Sequence, residues 1–383
     1  MNLLKELRRY GQSVWLDYVR RSLITEGELE RLIEGDEIGG LSNNFRVFQK
    51  VIAGSGDYDE ILKKLIDLEP HLEVQKMYEE LVIQDMKMAA DVLRGVYERT
   101  EGREGFVSLA IPPDLTQRTE ACLEEARYLW QKVNRPNFMV KVPATSQGIP
   151  VIETLIAEGI NVEVTLIFSL SHYQAVAHAY LKGLERSEHP QKVFSVASFS
   201  LKQLDKAVDE ILAEIGTPEA CRLKGKIAVA EAKMVYQYFK KVFNGQPWQP
   251  LKRKGARLQP ILWAEAGPKN PCNFDVLYGE ELVGSETIVC LTPTSLNAFR
   301  QLGQLQPTLE QGLKEAKSYL RQLTSLGVNL NSIAEKLQGE GMAFLADSFN
   351  SLLATLEDRR EKILRGQQDK QVLFLANYKQ EVK

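Results

Sequence analysis

Hydrophobic residues along this chain fall into eight short runs that alternate with longer amphipathic segments. The runs are rich in Val, Ile, Leu and Phe, as in strands of a parallel sheet buried on both faces. They cover residues 14–19, 38–44, 105–111, 137–145, 160–168, 193–199, 258–264 and 287–292. This pattern predicts eight β-strands.

The intervening segments carry apolar residues three and four positions apart, which is the spacing of an amphipathic helix. The strongest helix patterns cover residues 72–99, 115–133 and 201–243. Strands that alternate with helices predict an α/β fold, and eight such strands predict a (β/α)8 TIM barrel. A helical tail over residues 307–368 should add a covering layer. Because no low-complexity linker interrupts the chain, we expect residues 1–383 to form a single domain.

The carboxyl-terminal ends of the strands form the active site of a TIM barrel. Alternation along the fifth strand places Asn161, Glu163 and Thr165 on one face, which we expect to line the lumen beside Lys141. The strand ends hold Asp17, Asn44, Ala110, Lys141, Glu163 with Thr165, Ser198, Glu265 and Thr292.

Lys141 is the most unusual of these residues because it lies inside a strand, between Val140 and Val142 and before Pro143. A lysine there either points into a functional cavity or pairs with a carboxylate. An amine that loses its proton in such a cavity can attack a carbonyl group and form a Schiff base.

The composition indicates a small-molecule partner. Of the 383 residues 44% are hydrophobic, 26% are charged, and the formal net charge is −3. A balance of this kind provides no basic field for nucleic acid or for an anionic membrane surface.

The cysteines and the amino terminus indicate a cytoplasmic protein. Cys122, Cys221, Cys272 and Cys290 form no CxxC pair, which fits a reducing compartment better than a disulfide framework or a zinc site. The first ten residues have the pattern of an amphipathic helix, and no run approaches the ~18 apolar residues that a membrane span requires.

Several motifs resemble the long-type transaldolases. They are Gln12-Ser-Val-Trp-Leu-Asp17, Lys141-Val-Pro-Ala-Thr145, Gly159-Ile-Asn-Val-Glu-Val-Thr-Leu-Ile-Phe-Ser169, Lys269-Asn-Pro271 with Leu277-Tyr278, and the tail segment Gly339-Glu-Gly-Met-Ala-Phe-Leu-Ala-Asp-Ser-Phe349. The resemblance spans nearly the whole chain. It implies a TIM barrel, in agreement with the strand pattern.

The resemblance also implies a mechanism in which a lysine forms a Schiff base with a ketose phosphate, an aldose is released, and the bound three-carbon unit passes to another aldose. By position, Lys141 would form the Schiff base and Asp17 would be the acid/base for carbon–carbon cleavage. Asn44 would orient the bound intermediate, Thr165 would position a water, and Ser198 would contact the substrate. From its residue type alone, Asp17 has the alternative of capping a helix.

Two departures from the family pattern concern a carboxylate. Ala110 stands where the family has a Glu on the third strand, and Glu163 stands where the family has an Asn on the fifth strand. We interpret this as a carboxylate moved to a different strand, with Glu163 as the general acid/base for carbinolamine formation. A carboxylate beside Lys141 also favours the ammonium form, which opposes nucleophilic attack.

Other departures concern phosphate. Gln203 replaces the family's phosphate-binding Arg, and Glu265 replaces a Ser in the phosphate region, so the pocket loses a cation and gains an anion. Arg46 adds a cation that either forms an anion site elsewhere or neutralises Glu163 or Glu265. Lys269 is either a remaining phosphate contact or a solvated loop residue. These replacements predict a neutral or amine-bearing carbonyl substrate.

Three functions stay open from the sequence. The first is a Schiff-base enzyme of transaldolase type with an altered substrate. The second is an ordinary transaldolase of the pentose phosphate route, acting on fructose 6-phosphate and sedoheptulose 7-phosphate, and the third is an inactive barrel kept as a binding protein. No metal or organic cofactor is expected, because the lysine itself supplies the electron sink.

Overall fold

The computed structural model describes residues 2–270, 273–301 and 305–365, without the side chains of residues 268–270, 273–277 and 301. Eight strands close into a parallel barrel, in the order β1-β10-β7-β6-β5-β4-β3-β2. These strands are β1 Gln12–Asp17, β2 Gly40–Ser42, β3 Phe106–Ala110, β4 Phe138–Pro143, β5 Val162–Ile167, β6 Ser195–Ser200, β7 Ile261–Ala264 and β10 Thr287–Leu291. All eight predicted strands and the predicted (β/α)8 fold are confirmed. A separate antiparallel hairpin, β8 Pro268–Asn270 and β9 Asn273–Leu277, lies between β7 and β10 along the chain.

The lower half of the lumen is an apolar plug. Trp15, Phe106, Met139, Phe194, Val196, Leu262, Ile288 and Cys290 fill it. A Cβ on Gly40 would lie 2.5 Å from the Trp15 indole, so the glycine makes room for this ring. The plug closes the barrel from below, and polar side chains follow above it toward the carboxyl ends of the strands.

Helices surround the barrel. They are α1 Leu3–Arg9, α2 Arg21–Thr25, α3 Glu28–Asp36, α4 Phe45–Gly54, α5 Asp59–Leu68, α6 Val74–Arg99, α7 Thr119–Val133, α8 Gly148–Ala157, α9 Leu170–Arg186, α10 Lys202–Ile215, α11 Pro218–Leu223, α12 Ile227–Asn244, α13 Trp248–Arg253, α14 Tyr278–Glu281, α15 Pro293–Gln301, α16 Leu313–Ser325 and α17 Leu330–Leu364. The predicted helix over 201–243 is wrong as one element, because α10, α11 and α12 replace it. Gly216 ends α10 in the left-handed region (φ 67°), and Pro218 starts α11 at a position where its missing N–H costs nothing.

The tail helices α16 and α17 occupy most of the predicted 307–368 segment, whose last three residues lie outside the described part of the chain. Helix α17 lies against the carboxyl-terminal ends of the strands. Gln338 Nε2 donates to the backbone oxygens of Ala144 and Leu166 at 2.9 and 3.1 Å, just beyond Lys141 and Thr165. In the part of the chain that the structure describes, no helix is long and apolar enough to cross a membrane.

Candidate active site

Lys141 lies at the centre of the polar layer above the plug. Its Nζ donates to Ser42 Oγ and to the backbone oxygen of Asn43, both at 2.7 Å. Only 9% of the residue is exposed. The strand places the amine in the lumen because Val140 and Val142 point into the surrounding helix layer, as the alternation along β4 requires.

Glu163 lies beside Lys141 on the neighbouring strand β5, with Oε1 3.6 Å from Nζ. The carboxylate is 1% exposed. Ser108 donates to its Oε2 at 2.5 Å, and Ser42 Oγ is 3.5 Å from its Oε1. Of the two alternatives for Lys141, the structure shows the pairing with a carboxylate, and a functional cavity at the amine stays a prediction.

Ala110 is the neighbour of Lys141 on the other side, on β3. The lysine is thus flanked by an alanine on one strand and by Glu163 on the other. Ser108 precedes Ala110 by two residues on the same face of β3 and donates to the Glu163 carboxylate past the intervening strand β4. The carboxylate consequently sits beneath the amine.

Asp17 ends β1 and accepts a hydrogen bond from Asn44 Nδ2 at 3.0 Å. Burial raises the pKa of Asp17, and the charge of Lys141 and the hydrogen bond from Asn44 partly offset this effect. The helix cap nearby is made by Asn44, whose Oδ1 accepts from the backbone N–H of Val47 at 2.9 Å. Asp17 therefore lies at a strand end, with its carboxylate directed to Asn44.

Asn43 was missed by the sequence interpretation, which gave the orienting role to its neighbour Asn44. Its backbone oxygen contacts the Lys141 amine, and its buried side-chain oxygen has no hydrogen-bond partner among the described residues. Ser42 and Ser108 were missed as well. The period-two alternation that placed Ala110 in the lumen also places Ser108 there, so a signal was present for that residue.

The polar face of β5 is shorter than predicted. Asn161 does not lie beside Lys141, because its side-chain amide donates to the backbone oxygens of Pro136 and Phe138 at the opposite end of the barrel. Thr165 follows Glu163 on the same face and lies beside Pro143. Beyond it the register shifts between Val164 and Ile167, and the alternation ends.

Ser198 lies on β6, two residues beyond Val196 of the apolar plug, and is 6% exposed. Its place on the same face as Val196 sets it in the polar layer above the plug. This position keeps it a candidate for contact with the substrate.

Gln203 and Glu265 form a pair at the rim. Gln203 Nε2 donates to Glu265 Oε1 at 3.1 Å. Desolvation by the surrounding protein raises the pKa of Glu265. The hydrogen bonds from Gln203 lower this pKa, and the charge of Asp17 raises it further. The backbone of Glu265 adopts a left-handed conformation (φ 58°). The two residues that the resemblance places in the phosphate region therefore bind each other.

Two further residues were predicted for the site, Arg46 and Lys269. Arg46 is exposed on α4, with its guanidinium 5.7 Å from the centre of the Phe344 ring of α17. The ion pair of Glu163 is made with Lys141, so Arg46 does not neutralise that carboxylate. The side chain of Lys269, like Cys272, lies outside the described residues.

The layer can support proton transfer and covalent chemistry at an amine. It combines one buried lysine, two carboxylates with different surroundings, and hydroxyl groups between them. Within the described residues, no group of three or more His, Cys, Asp or Glu side chains is arranged to hold a metal ion.

Comparison with known proteins gives a consistent family assignment. A profile described as "Transaldolase/Fructose-6-phosphate aldolase" matches residues 14–356. The chain is 42% identical over 360 residues to a protein of Thiobacillus denitrificans named "Transaldolase", across 93% of this chain and 100% of that protein. It is 36% identical over 376 residues to "Transaldolase 2" of Nostoc punctiforme, across 94% of this chain and 97% of that protein. The chain belongs to the transaldolase/fructose-6-phosphate aldolase family, which consists of transferase and aldolase enzymes.

Proposed function

We propose that Lys141 forms a Schiff base with a small carbonyl substrate that lacks a phosphate group, and that the protein makes or breaks a carbon–carbon bond next to the bound carbon. The observation that carries this proposal is the setting of the Lys141 amine. The amine is held by the Ser42 hydroxyl and the Asn43 backbone oxygen, and 9% of the residue is exposed. Such an arrangement fixes the nucleophile before the substrate arrives.

Asp17 is the candidate acid/base for the carbon–carbon step. Its carboxylate would take the proton of the substrate hydroxyl while the carbon–carbon bond breaks, and the electron pair would move into the iminium group on Lys141. Asn44 holds one oxygen of Asp17 at 3.0 Å, which sets the orientation of the carboxylate. The raised pKa of Asp17 suits proton exchange nearer neutral pH. Thr165 is the candidate for positioning a water, and Ser198 and Asn43 for contacts with the substrate.

The absence of a phosphate anchor is supported by the pair of Gln203 and Glu265. A phosphate needs cationic or N–H donors, and the Gln203 side-chain amide already donates to Glu265. The Glu265 carboxylate would repel a phosphate dianion at this place, whereas it could accept hydrogen bonds from a hydroxyl or ammonium group.

Two alternatives have some support. The relatives named transaldolase favour an ordinary transaldolase acting on fructose 6-phosphate, in which Lys269 or Arg46 would bind the phosphate. An inactive binding protein is less well supported, because Lys141, Asp17 and Thr165 are all retained and the first two lie in one polar layer.

The test is a comparison of kcat/KM for cleavage of fructose and of fructose 6-phosphate. We expect the phosphorylated sugar to be the poorer substrate, and both activities to vanish in Lys141→Ala. A kcat/KM for fructose 6-phosphate on the order of 10⁴ M⁻¹s⁻¹ or more, well above that for fructose, would return the protein to ordinary transaldolase chemistry.

A further inference from the structure

Ser42 lies between the two charged groups of the site. It ends β2 and is 4% exposed. Its Oγ is 2.7 Å from Lys141 Nζ and 3.5 Å from Glu163 Oε1. A hydroxyl both accepts and donates a hydrogen bond, so Ser42 contacts the amine with a lone pair and faces the carboxylate with its proton.

Glu163 cannot reach a substrate directly in this arrangement. It is 1% exposed, lies beneath the amine, and has its other oxygen held by Ser108 at 2.5 Å. Its direct separation from Nζ is 3.6 Å, whereas Ser42 Oγ lies 2.7 Å from Nζ and 3.5 Å from Glu163 Oε1. A proton that leaves Lys141 for Glu163 therefore has its shortest first step to the hydroxyl of Ser42.

We propose that Ser42 relays a proton between Lys141 and Glu163 and is a catalytic residue for Schiff-base formation. The ammonium of Lys141 gives a proton to Ser42 Oγ, while the hydroxyl proton of Ser42 passes to Glu163 Oε1. This leaves a neutral amine, an intact serine and a neutral carboxylic acid, so no net charge leaves the buried layer. Because it assigns a path to the nucleophile, this inference rests on the proposed function.

The same path works in reverse after the amine has attacked the carbonyl. One of the two protons of the attacking nitrogen passes to the former carbonyl oxygen, which gives the neutral carbinolamine. Glu163 then returns its proton through Ser42 to the carbinolamine hydroxyl, the carbon–oxygen bond breaks, and water leaves. The positive charge stays on the iminium nitrogen, and Glu163 is again a carboxylate beside it. Glu163 can thus stabilise the ammonium at rest and still accept its proton when the free amine is needed.

The neighbouring groups do not offer an equivalent route. The backbone oxygen of Asn43 accepts from Lys141 but has no proton to pass on. The Ser108 hydroxyl donates to the other oxygen of Glu163, Oε2, at 2.5 Å. Cys290 contacts Ser42 and faces Asp17, Glu163 and Lys141, and burial raises the pKa of its thiol so that it stays neutral. Asp17 is turned to Asn44.

The experiment measures the rate of adduct formation with dihydroxyacetone, trapped by borohydride at timed intervals between pH 6 and 9. We expect Ser42→Ala to slow adduct formation about 100-fold, and Ser42→Thr, which keeps the hydroxyl, to stay within about tenfold of the unmodified protein. Glu163→Gln should be at least as slow as Ser42→Ala. The double variant Ser42→Ala/Glu163→Gln should be no slower than Glu163→Gln alone, because both residues act in one path.

Adduct formation at the unmodified rate and with the unmodified pH profile in Ser42→Ala would overturn the relay. If that variant fails to fold, the relay is tested on the unmodified protein, by measuring the rate of adduct formation in mixtures of H2O and D2O. Two protons in motion give a curved dependence on the D2O fraction, and a straight line would overturn the proposal. Failure of the proposed function looks different, since the unmodified protein would then give no adduct at Lys141 at all.

Discussion

At the scale of single residues, two carboxylates, Glu163 and Glu265, define the surroundings of the site. Glu163 lies on the strand at one side of Lys141 and Ala110 on the strand at the other, and the hydroxyls of Ser108 and Ser42 face the Glu163 carboxylate. A second carboxylate, Glu265, stands at the rim and accepts from Gln203.

The double substitution Gln203→Arg with Glu265→Ser should turn the pocket toward phosphorylated substrates. It replaces an anion and its partner by a guanidinium and a hydroxyl, which together can bind phosphate. We expect the ratio of kcat/KM for fructose 6-phosphate to that for fructose to rise at least tenfold. Steady-state kinetics measures this ratio, with Glu265→Gln as the control that removes only the charge. An unchanged ratio would show that this pair does not determine phosphate preference.

Asp17→Asn should separate the two halves of the reaction. Without a carboxylate at the end of β1, we expect carbon–carbon cleavage to fall by 10²–10⁴-fold, while adduct formation with dihydroxyacetone continues. Because burial raises the pKa of Asp17, the unmodified protein should lose cleavage activity as the pH falls through a value above 3.8, its ordinary pKa. A pH profile of cleavage and timed borohydride trapping measure the two effects. Loss of both activities in parallel would contradict separate roles for Asp17 and Lys141.

At the scale of elements, helix α17 is the part of the tail that acts on the site. Gln338 ties it to the loops that follow β4 and β5, and Gly341 lies so close to Leu166 that an added Cβ would be 2.8 Å from its side chain. The helix therefore holds the backbone just beyond Lys141 and Thr165.

Gln338→Ala should loosen this contact. It leaves two backbone oxygens without a donor, and we expect a loss of about 1–3 kcal/mol in the free energy of unfolding. Denaturant titration measures the loss. The matched control is Gln322→Ala on α16, where an exposed side chain bonds only to Ser318 and its removal should cost little. Equal effects of the two substitutions would show that α17 does not stabilise the mouth through Gln338.

The sequence predicted most of the strands and helices, but it did not predict the side-chain contacts between them. Strand runs such as 137–145 were readable because burial on both faces leaves a continuous apolar pattern, and all eight strands formed as predicted. The helix over 201–243 was misjudged because its apolar spacing continues through the break at Gly216 and Pro218. The bond between Ser108 and Glu163 joins strands that are not adjacent in the barrel, and no local pattern encodes such a contact.

At the scale of the whole molecule, a buried ion pair connects two helices of the outer layer, α2 and α6. Arg21 of α2 pairs with Asp85 of α6 at 2.5 Å, and the hydroxyl of Tyr58 donates to the same carboxylate at 2.6 Å. Burial raises the pKa of Asp85 to about 6 in spite of these partners. The fold therefore favours the protonated form of this group more than an unfolded chain does.

This difference predicts how stability depends on pH. A raised pKa in the folded state contributes stability below pH 3.8, and that contribution is lost as the pH rises through about 6. Between pH 4 and 7, the free energy of unfolding of the unmodified protein relative to Asp85→Asn should fall by about 2 kcal/mol. Urea titrations of both proteins at each pH measure it, and the variant's unpaired Arg21 adds only a constant offset. A difference that is flat or grows with pH would contradict the prediction.

The central claim is that Lys141 forms a covalent adduct with a carbonyl compound that carries no phosphate. Intact-mass spectrometry after borohydride reduction tests it, with dihydroxyacetone in one sample, fructose 6-phosphate in another, and Lys141→Ala as the control for both. We expect an adduct with dihydroxyacetone that is absent from the variant, and little or none with fructose 6-phosphate. A full adduct with fructose 6-phosphate would contradict the proposed substrate class, and no adduct in either sample would contradict the Schiff-base role of Lys141.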